Sequence, residues 1–194
     1  MARCFLALRL PAATRQALEP VREELASLPR DAARKIKPVA PHNLHVTVKF
    51  LGNMTPQQQT TVIAALETRR PELAAADAQL AGIDAFPSVS RPRVVVAPAR
   101  DAEQVVALLQ TVDAICSELG FEPERRPPRP HVTVARVASP KPNGPLQAWL
   151  RQRKSAAPQV YGPIDGRRLV LYESHLTAAG ASYAVVWEGT LGTQ

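Results

Sequence analysis

Leu44-His45-Val46-Thr47-Val48-Lys49-Phe50-Leu51-Gly52 and Pro130-His131-Val132-Thr133-Val134-Ala135-Arg136-Val137 share one four-residue word, His-Val-Thr-Val. The 194-residue chain has only four histidines, so half of them sit in the two copies. Valine and threonine are β-branched and favour strands. On a strand, residues i and i+2 point to the same face. His45 and Thr47 therefore share one face, and Val46 and Val48 the other. His131 and Thr133 stand in the same way against Val132 and Val134. Each strand gains an apolar side for a core and a polar side with an imidazole and a hydroxyl. Two such strands side by side aim two imidazoles and two hydroxyls into one cleft. A lone histidine on a strand is usually a structural residue; duplication inside a duplicated apolar frame argues instead for a paired function.

The rest of the chain arranges itself around the two copies. Residues 3–10 read as a buried strand ended by Pro11. Leu18, Val21, Leu25 and Leu28 form a helical stripe, with Pro20 as a point where the helix kinks or restarts. Residues 29–41 read as a basic, proline-punctuated connection. Thr55-Pro56 is a helix start, opening a helix over 56–69. Residues 78–86 and 93–97 read as strands with a loop between them. Asp101 is the expected cap of a helix that runs to Leu119 and stops at Gly120. Residues 139–145 read as a loop, and a short helix follows over 145–154. Residues 167–177 and 182–191 read as a terminal hairpin turning at Ala179-Gly180-Ala181. The copies lie 86 residues apart with a long helix before each. This predicts an α+β fold: two pseudo-symmetric lobes of antiparallel sheet backed by helices, with a central cleft, as one bilobal domain over residues 1–194.

Hydrophobic residues make up 45% of the chain and aromatics only 5%, so aliphatic side chains must build the core. The net charge of +7 favours anionic partners, RNA among them. Only five of the 24 basic residues are lysine, a GC-rich coding bias that weakens the charge as evidence by itself. Cys4 and Cys116 fit no metal or redox spacing, and Cys4 reads as a core residue. A reducing cytoplasm is the expected location. The apolar run Cys4–Leu8 is too short for a secretory core or a membrane span.

The sequence resembles the two-histidine (2H) phosphoesterases, defined by two His-x-Thr-x motifs. Within them it is similar to the RNA 2′,3′-cyclic phosphodiesterases, once called 2′-5′ RNA ligases. The segments that carry the resemblance are Arg3–Pro11, His42–Gly52, Phe86-Pro87 with Pro92–Val95, and Arg129–Arg136. They span nearly the whole chain in family order. The resemblance implies two lobes about a pseudo-two-fold axis, with the motifs facing across a cleft. It implies that His45 is the general acid releasing the 3′-oxygen and His131 the general base for water, leaving an RNA 2′-phosphate. It also implies that Arg136 binds phosphate. Strand alternation opposes that role, because Arg136 is five residues from His131 and falls on the opposite face unless the strand bulges. Lys49, four residues from His45, has the right parity and is the fallback cation. The family often carries an aromatic before the second motif, where this chain has Pro127-Pro128.

Two imidazoles flanking a phosphate suit acid–base chemistry near neutral pH. The hydroxyls of Thr47 and Thr133 can donate to the non-bridging oxygens as charge builds there. No cofactor is expected, and no carboxylates near the motifs have metal-ligand spacing. The expected partner is RNA with 2′,3′-cyclic phosphate ends, such as tRNA fragments, met by a monomer away from any membrane. Three other readings use the same residues: 2′-5′ ligation of RNA ends, hydrolysis of small cyclic nucleotide phosphates, and a non-catalytic nucleotide- or RNA-binding module. The presence of both histidines and both threonines argues against the last. His42 reads as a loop residue, His175 as structural, and Trp187, Tyr172 and Tyr183 as packing of the hairpin.

Overall fold

The computed structural model describes residues 1–138, 142–177 and 180–192. In chain order it contains β1 (Ala2–Arg9), α1 (Ala12–Ala17), α2 (Glu19–Ser27), α3 (Arg30–Ala33), β2 (Ile36–Pro38), β3 (His45–Met54), α4 (Pro56–Thr68), β4 (Gln79–Ala81), β5 (Asp84–Ser88) and β6 (Arg91–Arg100). It continues with α5 (Glu103–Glu118), β7 (His131–Val137), α6 (Gly144–Ser155), β8 (Val160–Pro163), β9 (Asp165–Thr177) and β10 (Gly180–Thr190). The sheet runs β10-β9-β1-β3-β7-β6-β4-β8, with β2 added to β7 and β5 to β6. Every pairing of these strands is antiparallel.

The two lobes meet where the sequence repeats itself. Between β3 and β7 the ladder holds a single pair, Val46 opposite Val132. Beyond it, β2 occupies the same edge of β7 from Ala135 to Val137, so β3 has no edge left to pair with. The motif strands then splay apart, and a cleft opens between the lobe β10-β9-β1-β3 and the lobe β7-β6-β4-β8. Val46 and Val132 are fully buried at the junction.

Helices cover the apolar side of each lobe. α5 and α4 pack on β3, while α1, α2, α3 and α6 serve β2, β5, β7 and β8. Cys4, Leu6, Leu8 and Leu10 alternate into one core with Val46, Leu66, Val112 and Ile115, whereas Phe5 and Ala7 face the other way. Each fully buried aliphatic chain stabilises the fold by about 1.5–3 kcal/mol relative to exposure. Leucine, valine, isoleucine and alanine supply most of that burial, which is how the chain folds with so few rings.

Several local expectations hold. The 12–28 stretch restarts at Pro20, which sits in the first turn of α2. Thr55 caps α4 in a capping box with Gln58, and Gly120, with φ +87°, lies just past the end of α5. Others are corrected. Asp101 does not cap α5: it adopts φ +49°, and Ala102 takes the cap position without a side-chain bond. The 78–86 strand divides into β4 and β5 at Gly82, whose φ of +74° turns the chain. The 29–41 connection contains α3 and β2, and β8 has no counterpart in the sequence reading. Pairing partners, more than local pattern, create such three- and four-residue strands. The turn at Ala179 and the 139–145 loop fall in part outside the described residues.

Behind the cleft, Lys49 is buried and donates to Asp113 of α5 and to the Glu122 carbonyl, the latter at 2.5 Å. Asp113 also accepts from the Glu124 backbone N–H at 3.1 Å. This ties β3 to α5 and to the segment that leads into β7. Asp113→Ala leaves the Lys49 ammonium buried without a counter-charge and is expected to lower stability by roughly 3–5 kcal/mol. Adding Lys49→Met should return part of that loss. Urea unfolding of the three proteins checks both; an unmoved midpoint in Asp113→Ala would show that the pair anchors nothing.

Candidate active site

Both histidines are held by one device. His45 Nδ1 donates to the Asn43 carbonyl at 2.7 Å. His131 Nδ1 donates to the Arg129 carbonyl at 2.6 Å. A carbonyl can only accept, so each neutral ring carries its proton on Nδ1 and keeps Nε2 for the cleft. The register set by Val46 and Val132 places His45 opposite Thr133 and Thr47 opposite His131. Antiparallel pairing relates its strands by a local two-fold axis, so identical words on both strands give a symmetric set of two imidazoles and two hydroxyls. All four of these side chains are half-buried on the face away from Val46 and Val132.

The strands bulge at matching points. Thr47 pairs with Ala7 and Lys49 with Leu6, so Val48 is the additional residue on β3. Thr133 pairs with Val96 and Ala135 with Val95, so Val134 is additional on β7. Each bulge buries two residues in succession and inverts the alternation beyond it. Arg136 thereby returns to the histidine face, exposed and close enough for its charge to act on His45. The same inversion sends Lys49 the other way, into its pair with Asp113. The fallback reading of Lys49 as a cleft cation is therefore corrected. Phe50 stands where the second copy has Arg136, and it is 64% exposed.

The two imidazoles have different neighbours. Phe5 lies 4.8 Å from His45, and Tyr183 meets His45 edge-on at 5.4 Å. Tyr172 stacks on Phe5 at 5.4 Å, and its hydroxyl accepts from Arg9 at 3.0 Å. Tyr172 and Tyr183 thus belong to the cleft rather than to hairpin packing alone. Trp187 faces away because a register shift occurs after Val185, and its indole donates to Glu67 at 2.9 Å. Around His131 the ring is Phe86 of β5, edge-on at 4.9 Å, with the Arg129 guanidinium 5.5 Å above it. An aromatic partner for the second motif thus comes from a strand 45 residues earlier, where the adjoining sequence has Pro127-Pro128. Asn43, missed in the sequence, is buried; its amide donates to Ala181 of β10 at 2.6 Å while its carbonyl holds His45. The only local signal was an asparagine two residues before the histidine. His42 is exposed, and His175 pairs with Glu173 at 3.3 Å on the hairpin. Among the described residues, no three His, Cys, Asp or Glu side chains converge as a metal site.

Burial pushes the His45 pKa down to about 4, opposed by the Asn43 carbonyl and assisted by the charges of Arg136 and His131. Burial also lowers the pKa of His131, again opposed by its carbonyl. Both rings are therefore neutral at pH 7 in the free protein, and a bound anion would favour protonating either. The folded value of His45 lies below its ordinary 6.5, so the unfolded chain binds more protons between about 4 and 6.5. The stability present above pH 6.5 is lost as the pH falls through that window. Urea midpoints from about pH 7 to about pH 4.5 should decline, and His45→Gln should flatten the decline; an equal slope in the variant would refute the assignment.

The LigT like Phosphoesterase family model matches the chain twice, at residues 8–96 and 96–183, one match for each motif. A Thermus thermophilus protein named RNA 2′,3′-cyclic phosphodiesterase is 34% identical over 194 residues, covering 95% of this chain and 87% of that protein. One of the same name from Methanocaldococcus jannaschii is 29% identical, covering 96% and 99%. A solved structure from Thermus thermophilus superposes with a TM-score of 0.75 at 29% identity, covering 99% of both chains. Escherichia coli LigT complexed with 3′-AMP has the same fold, with a TM-score of 0.72 at 20% identity and 98% coverage of both. With both halves matched and the paired motifs at the lobe junction, the chain belongs to the LigT-like phosphoesterases, members of the two-histidine class.

Proposed function

We propose that the protein hydrolyses RNA 2′,3′-cyclic phosphodiester ends to 2′-phosphomonoesters by acid–base catalysis between His45 and His131. The observation that carries this reading is the pair of imidazoles, each with Nδ1 locked on a carbonyl and Nε2 without a hydrogen-bond partner among the described residues, set across a cleft with Thr47, Thr133 and Arg136. The names of the curated relatives supply the substrate.

Water attacks phosphorus in line with the P–O3′ bond. His131 Nε2 takes the water proton as the new P–O bond forms. His45, as imidazolium, delivers its Nε2 proton to O3′ as the P–O3′ bond breaks, and O2′ keeps the phosphate. Solvent then removes the proton from His131, and His45 takes up a new one when the next anionic phosphate binds. The hydroxyls of Thr47 and Thr133 donate to the non-bridging oxygens, and the Arg136 guanidinium balances their charge. The chain needs no metal or cofactor for these steps. No helix of the described residues is long and apolar enough to cross a membrane.

The deeper burial of His45 favours the opposite division of labour, with His45 as base and His131 as acid. A substrate with sulfur at the 3′ leaving position separates the two, because a thiolate leaves without a proton. It should restore turnover to the variant lacking the acid and not to the variant lacking the base.

On an RNA oligomer ending in a 2′,3′-cyclic phosphate, His45→Ala and His131→Ala should each lose roughly 10²–10⁴-fold in kcat. Arg136→Met should lose roughly 10²–10³-fold. Turnover should persist in EDTA, follow a bell-shaped pH profile and leave a 2′-phosphate. Full activity in either histidine variant would sink the mechanism.

A further inference from the structure

A groove of about 700 Å³ opens beside His131 on the β7-β6-β4-β8 lobe, between β5 and α6. Phe86 forms its floor, the same ring that meets His131 edge-on at 4.9 Å, so the groove adjoins the cleft. Arg129, Arg151 and Lys154 stand in its walls. The one carboxylate there, Asp84, is taken by Lys154 at 3.0 Å. Among the described residues, Arg129 and Arg151 have no carboxylate partner, and the groove keeps two unbalanced guanidinium charges beside an aromatic face. The other lobe offers the reverse. His45 is surrounded by Phe5, Tyr172 and Tyr183, and Arg9 is already bound to Tyr172 and to Glu188.

We infer that the Phe86–Arg129–Arg151–Lys154 groove binds the RNA strand on the 5′ side of the cyclic end, making the enzyme selective for oligonucleotides over mononucleotides. The inference rests on the proposed hydrolase activity. In the cyclic substrate the ribose spans the in-line O3′ and the O2′ beside it, so it lies along the cleft wall. Its C5′ can then lead the strand over either lobe. The second-motif lobe sets Arg129 and Arg151, which have no carboxylate partner among the described residues, beside the Phe86 ring at the edge of the cleft, the combination by which proteins hold single strands. Arg151 and Lys154 lie on the exposed face of α6, where a passing strand can reach them.

The test compares a hexanucleotide ending in a 2′,3′-cyclic phosphate with a cyclic mononucleotide. The double variant Arg151→Glu/Lys154→Glu should lower the hexamer-to-mononucleotide ratio of kcat/KM at least tenfold. The control Arg167→Glu, a single charge reversal on β9 of the other lobe, should leave the ratio where it is in the unaltered protein. Fluorescence anisotropy with a 3′-phosphate-terminated hexamer should show weaker binding to the double variant. Its salt dependence should be shallower by about 0.7 for each phosphate that the variant no longer neutralises. An unchanged ratio and unchanged hexamer affinity would overturn the inference. Failure of the unaltered protein to turn over either substrate would instead overturn the hydrolase reading, and the anisotropy arm would still decide whether the groove holds the strand.

Discussion

The site depends on one backbone pairing, Val46 opposite Val132. An antiparallel pair carries a local two-fold axis, so one pairing between two copies of the same word suffices to build a symmetric set of imidazoles and hydroxyls. A slip of either strand by one residue would turn its imidazole into the core and its valine into solvent. The burial of the two valines opposes that shift, which makes the hydrophobic effect the force that aligns the polar groups. β2 completes the arrangement by taking the rest of the β7 edge, so the motif strands part and leave room for a ligand.

Symmetry stops at the residues around the two motifs. Matching bulges at Val48 and Val134 invert the remainder of each strand, and the outcomes differ because the residues differ. One copy sends Arg136 toward the cleft and buries Ala135. The other exposes Phe50 and buries Lys49, whose charge is then met by Asp113. A pseudo-symmetric scaffold thus presents an aromatic side around His45 and a cationic side around His131.

The imidazoles lie in surroundings that disfavour their charged forms. Burial lowers both pKa values, while the carbonyls of Asn43 and Arg129 fix both tautomers. On the proposed reading, a bound anionic phosphate would reverse that balance locally and make the proton needed by the leaving oxygen easier to hold. On the same reading, the burial that prepares His45 is also the burial expected to reduce stability in acid.

The repeated His-Val-Thr-Val word, read as strand, by itself determined which face carries His45, Thr47, His131 and Thr133, and which carries the valines. It also pointed to two lobes of antiparallel sheet, because alternation and β-branching are local properties legible along one chain. The destination of Arg136 and Lys49 was not legible, since alternation places each on the wrong face and only the bulges correct it. A bulge arises from pairing against a second strand, and that partner is remote in sequence. For the same reason Phe86, Tyr172, Tyr183 and Asn43 entered the site only in three dimensions. They reach the histidines through strand order and a cross-strand hydrogen bond, contacts that the tertiary structure decides because no local period encodes them.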